Sequence, residues 1–173
     1  MNMITTLEIV ERNMPSILMH SKWKSLDVDY HPPHVQRIWT EWNDVRIMLH
    51  CFPETCNAEN ALYHPHPWPS AMRVLEGEYI MEVGHEVFND IPHTPTPETI
   101  ATTVMKAGSA YEMTNPKAWH KVIPQKETYT LMVTGPLYEK DDMSLGIEKP
   151  TKELGRLDTF TFERILKKFK EFY

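Results

Sequence analysis

The spacing of apolar residues along the chain changes twice. Between Met3 and Leu26, Ile4, Leu7, Val10, Met14, Ile17 and Leu18 recur near the helical period. Pro15 should interrupt that pattern, so one or two short helices are expected there. From Val35 onward the pattern becomes short runs rich in β-branched and aromatic residues: VQRIWTEW, VRIMLHCF, AMRVLEG, EYIMEVG, TIATTVMKAG, WHKVIP and TYTLMVTG. Asn43-Asp44 and Glu76-Gly77 separate adjacent runs with residues that tolerate positive φ, and each is expected to close an antiparallel hairpin. HEVFNDIPHTPTPE, from His85 to Glu98, reads as an exposed loop, and LYEKDDMSLGIEKPTKELGR as polar connection. The chain closes on a second helical pattern, with Asp158 as its cap and Phe162, Ile165, Leu166, Phe169 and Phe172 on one side.

This order predicts an all-β sandwich or barrel of seven or more strands with short helices at both termini, rather than a parallel α/β fold. The expected organisation is one domain: a helical segment over 1–34 packing on the barrel, the barrel over 35–136, and a connection with the terminal helix over 137–173.

Composition narrows the function. A formal charge of −6, with no polybasic run, argues against binding nucleic acid backbones. Glu8, Glu11 and Arg12 interrupt the first twenty residues, and no stretch approaches a membrane span, so a cytoplasmic protein without membrane contact is expected. Cys51 and Cys56 are too few for a disulfide framework. Neither carries the local signature of a catalytic thiol. What stands out is nine histidines, together with eleven methionines and fourteen prolines beside six glycines.

The densest chemistry is Tyr63-His64-Pro65-His66-Pro67-Trp68-Pro69. On an extended chain alternate side chains share a side, so His64 and His66 can reach one point in space, and the flanking prolines pre-set that geometry. Missing amide donors confine the segment to a sheet edge. The stretch that follows, SAMRVLEGEYIMEVG, reads as strand, tight turn and strand. Here the chain resembles the cupin superfamily, whose first motif is H-x-H, three or four residues, a Glu, then six residues to a Gly; His64, His66 and Gly77 fit it. The second motif, a Gly, a Pro and a later His, is matched by Gly108, Pro116 and His120 in GSAYEMTNPKAWHKVIP, one residue longer than usual and with Lys117 at about the place of its second Gly. The pieces MLHCF, HPHPW, VLEGEY, WHKV and TYTLMVTGP further resemble a group of small bacterial and phage cupins with no assigned reaction, over roughly Val35 to Pro136.

The resemblance implies a cupin-type double-stranded β-helix, or jelly roll, with a divalent metal on His64, His66 and His120. The cupin motif's fourth ligand, a glutamate, is replaced by Ser70. Three neutral imidazoles suit Fe(II), Zn(II), Ni(II) or Cu(II) better than Mg(II) or Ca(II). Fe(II) is favoured by analogy with three-histidine cupin dioxygenases, in which substrate and O2 take the open positions, whereas zinc would activate a water. The leading expectation is a non-haem iron dioxygenase acting on a small molecule; the alternatives are a non-catalytic binder or a cupin of the sugar isomerase or epimerase type. Cupins often pair through sheet edges, which makes a homodimer an expectation.

The candidate pocket around the metal comprises His50, Met48, Trp68, Ser70, Met72 and Met132. His50 alternates with Met48 and away from Cys51, as a donor behind the metal or a substrate contact, or as an ordinary core histidine. Trp68 is an aromatic wall or plain packing. The methionines, Met81 and Met113 among them, are an adaptable core or a soft pocket wall. Tyr79 and Tyr129 are the candidates for a catalytic hydroxyl, set against the packing role usual for strand tyrosines. His31, His34, His85 and His93 read as surface residues.

Overall fold

The computed structural model describes residues 2–87, 96–140 and 153–173. Helix α1 (Met3–His20) is followed by β1 (Lys24–Val28), β2 (Val35–Trp42), β3 (Val45–Phe52), β4 (His64–Pro65), β5 (Ser70–Glu76), β6 (Glu78–Val87), β7 (Thr96–Lys106), β8 (Ala110–Met113), β9 (Ala118–Pro124), β10 (Thr128–Thr134) and helix α2 (Thr159–Phe172).

Pairing of the strands is nested. β6 pairs with β7, β5 with β8, β4 with β9 and β3 with β10, so the chain from β3 to β10 is one long hairpin wound around itself. Winding distributes these pairs between two antiparallel sheets, ordered β3-β10-β5-β8 and β4-β9-β6-β7, which is the eight-stranded jelly roll. β2 and β1 extend the first sheet past β3. The expected double-stranded β-helix with helices at both termini is the architecture found.

The first sheet is covered on both faces, which is why β10 is buried at every position. Leu131 and Val133 look outward into a core with Met3, Leu7, Val10 and Met14 of α1 and Ile165 and Phe169 of α2. Thr130 and Met132, offset by one, look inward between the sheets. Asp158 caps α2 as expected, accepting from the Thr161 amide at 3.0 Å.

Three local expectations are corrected. First, α1 is a single helix of 18 residues that runs through Pro15. Pro15 stands on its exposed face, while Met3, Leu7, Val10, Met14, Ile17 and Leu18 are buried. An interior proline costs about 3 kcal/mol, and six buried apolar side chains at roughly 1.5–3 kcal/mol each outweigh it. Asn2 Oδ1 caps this helix through the Thr5 amide, and Glu112 of β8 accepts from the Met3 and Ile4 amides. Residues 24–28, partly inside the expected helical pattern, form β1.

Second, Asn43-Asp44 does close the β2–β3 hairpin, with φ of 47° and 64°, but Glu76-Gly77 closes none. β5 and β6 lie in different sheets, and Gly77 (φ 88°) turns the corner between them. A Cβ there would lie 2.4 Å from the Glu127 carbonyl oxygen. Third, the loop expected over His85–Glu98 is partly strand, since its ends belong to β6 and β7; residues 88–95, with His93, lie outside the described residues, as do 141–152 of the polar connection. Pro97 is accommodated because β7 is an edge strand.

Candidate metal centre

β4 and β9 place the histidines. His64 is the register partner of His120, and Pro65 that of Trp119. His66, two residues on, returns to the same side. The His120 Nε2 atom lies 3.2 Å from His64 Nε2 and 3.1 Å from His66 Nε2. This is the metal-capable cluster found among the described residues. Beyond β4 the proline segment is clasped from one side by the chain leaving β10: the Tyr138 amide donates to the Pro67 carbonyl and the Gly135 amide to that of Pro69, both at 2.9 Å. Prolines cost nothing here because their carbonyls, not their nitrogens, face the partner.

Protonation follows from surroundings. His64 Nδ1 donates to the Leu62 carbonyl at 3.3 Å, so its Nε2 presents a lone pair to the cluster. His66 Nδ1 lies 3.0 Å from Ser70 Oγ. Burial, foremost, holds His64 down at about 4 and His66 and His120 well below the usual imidazole value; for His66 and His120 the neighbouring cluster histidines add to it. Neutral imidazole is the form that binds a metal. Three imidazole nitrogens converging at 3.1–3.2 Å satisfy one another poorly as hydrogen-bond partners, and a divalent cation satisfies all of them at once. The donor set therefore fits a metal, and among the described residues no carboxylate joins it: Ser70, at the motif's glutamate position, supports His66 from behind.

The cluster opens on a cavity of about 340 Å³ between the sheets. Met48, Met132 and Met72 stand side by side across β3, β10 and β5 and form one wall. Trp68 forms another and stacks on His66, with centroids 5.8 Å apart and planes 22° apart. His50 lines the cavity on the register row beside the methionines, and its Nε2 accepts from Arg37 Nε at 3.0 Å. Burial and Arg37 hold it neutral as well. Of the residues expected around the pocket, Ser70 stands behind the lining rather than in it.

Two placements differ from expectation. Tyr129 lies on the opposite face of its strand from Thr130 and Met132, packed on Phe169 and Phe172, with its hydroxyl bonded to Arg164 at 2.8 Å; strand alternation turns it away from the histidines. Tyr79 is fully buried, with its hydroxyl 3.2 Å from Tyr111 Oη and 3.5 Å from Met72 Sδ, and it does not line the cavity. His31, expected on the surface, lines the cavity, whereas His34 pairs with Asp27 at 2.6 Å and His85 is exposed. Arg37 is a lining residue that the sequence pattern did not single out. The signal for it is an arginine flanked at alternate positions by Val35 and Trp39, on the side of β2 that turns inward.

Topology and site together decide the fold. It is a cupin-type fold. No family model and no curated protein matches the sequence. Solved structures do. Hydroxypropylphosphonic acid epoxidase from S. wedmorenis is 16% identical, over 65% of this chain and 55% of that one, with a TM-score of 0.47. The iron(II) form of HppE is 15% identical over 67% and 56%, at 0.46. The cupin domain of Schizosaccharomyces pombe Cnp3 is 8% identical over 59% of each chain, at 0.42. The chain spans about half the length of the first of these structures. Among the described residues, no helix of this cupin-type chain is long and apolar enough to cross a membrane.

Proposed function

We propose that this protein is a metal-dependent enzyme acting on a small molecule, a non-haem iron dioxygenase whose Fe(II) is held by His64, His66 and His120. The observation that carries this reading is the convergence of three neutral imidazole nitrogens, with no carboxylate among the described residues, at the wall of a mostly apolar cavity. Leaving out the carboxylate keeps coordination positions open to substrate. When bound, Fe(II) would supply the redox chemistry with O2 that amino-acid side chains lack.

The remaining roles belong to the chain. The Leu62 carbonyl and Ser70 hold two of the rings in orientation, which is the usual task of groups behind metal ligands. Met48, Met72, Met132 and Trp68 exclude water and give a soft wall that adapts to an apolar substrate body. With Tyr79 and Tyr129 turned away, the neutral His50 is a titratable group on the cavity wall near the cluster, beside His31 and Arg37.

The test is oxygen uptake by protein reconstituted with Fe(II), across a panel of thiols, catechols and keto acids. Uptake driven by one class, and lost in His120→Ala, supports the dioxygenase. Retained iron without uptake on any class instead favours a metal-binding module, and activity that survives a chelator removes the metal from the reaction.

A further inference from the structure

Arg37 reaches the cavity from β2, next to His50 on β3 and in the same register row as Thr130 on β10. Its Nε is committed to His50 at 3.0 Å. Among the described residues its terminal amino groups form no ion pair with a carboxylate; the Tyr30 hydroxyl favours its charge and Arg46 opposes it. The cavity lining holds no aspartate or glutamate among the described residues. Arg37 is half-buried, and a neutral imidazole does not compensate the part of a guanidinium drawn out of water. Burial accordingly pulls the arginine down to about 10, with Tyr30 offsetting part of that effect and Arg46 adding to it.

We propose that Arg37 is the anchor for an oxyanion, a carboxylate in the first instance, on the small molecule that occupies this cavity. With Nε tied to His50, the two terminal nitrogens form the end of the guanidinium fork, the edge that grips a carboxylate through two parallel hydrogen bonds. His50 is thereby the positioning residue that aims it. The electrostatic balance points the same way. The inference rests on the three-histidine reading for one part: a divalent cation adds two further positive charges to a cavity whose described lining has no acidic side chain, and an anionic group on the ligand balances them. The substrate class is then a small organic acid, held by its anionic end at Arg37 and presenting a donor atom toward His64, His66 and His120.

The experiment pairs lactate with lactamide, which differ in the charged group alone, in two settings. In chelator-treated protein, lactate is expected to raise the melting temperature and lactamide is not; Arg37→Met abolishes the lactate effect and Arg37→Lys keeps part of it. In Co(II)-loaded protein, the cobalt absorption bands are expected to shift at a lactate concentration at least roughly tenfold below that needed for lactamide, as one charge-assisted contact predicts. Failure of the two readings looks different. If cobalt is not retained but the lactate stabilisation persists and depends on Arg37, the metal centre fails and the anion site stands. If cobalt is retained and lactate and lactamide act alike in both settings, the anion site is wrong and the metal centre stands. The wild-type comparison decides this even if Arg37→Met does not fold.

Discussion

His64 and His120 face each other directly across the β4–β9 pair, with their Nε2 atoms 3.2 Å apart. The two come from opposite arms of the wound hairpin, 56 residues apart in sequence, and the nested pairing alone brings them together. The site is thus a property of the topology, and four expectations follow from it and from the packing around it.

Ser70 holds His66 at 3.0 Å, so Ser70→Ala should loosen the ring without removing a ligand. Loss of such a support weakens metal affinity by roughly 10–100-fold. Competition with a chromophoric chelator measures it. An unchanged affinity would show that His66 is oriented by packing on Trp68 alone.

Metal-free protein should lose stability in mild acid. An unfolded imidazole titrates near pH 6.5, whereas burial holds His64 down at about 4 and His50, His66 and His120 well below their usual value. Above about pH 6.5 both states are neutral and this contribution is complete. As pH falls from there toward about 4, the unfolded chain takes up protons that the native state refuses, and stability drops. Urea midpoints of chelator-treated protein should therefore fall between pH 7 and pH 5, less steeply in His120→Ala. A flat profile contradicts buried neutral imidazoles.

Gly77→Ala should cost more than Gly108→Ala. Both glycines have positive φ, 88° and 90°, but a Cβ at Gly77 meets the Glu127 carbonyl oxygen and Thr128, while one at Gly108 meets nothing. Conformation alone is worth about 1–2 kcal/mol, and the collision adds to it. At about 2–4 °C per kcal/mol for a chain of this size, thermal melts separate the two. Equal melting shifts would mean that the corner between the sheets relaxes freely.

Much of this is legible in order and alternation. His64 and His66 share a side because the chain is extended there, and His120 joins them through the second motif. Asn43-Asp44 names its own turn, since two successive positive φ values suit few other residue pairs. What escapes is decided by packing at a distance. Glu76-Gly77 has the composition of a hairpin, yet the same glycine also serves a corner, and only the approach of β10 tells them apart. Pro15 breaks a helix in isolation but not one whose opposite face is buried under six side chains. Tyr129 and Arg37 depend on which face of a strand turns inward, and in a sheet covered on both sides the sequence alternation carries little contrast.

The most direct test of the three-histidine centre is the metal content of the protein purified without added metal, beside His120→Ala purified in the same way. Elemental analysis should find close to one transition metal per wild-type chain and only traces in the variant, with far-UV circular dichroism unchanged between them. A variant that keeps its metal, or a folded wild-type chain that takes up none even when Fe(II) or Zn(II) is supplied, would contradict it.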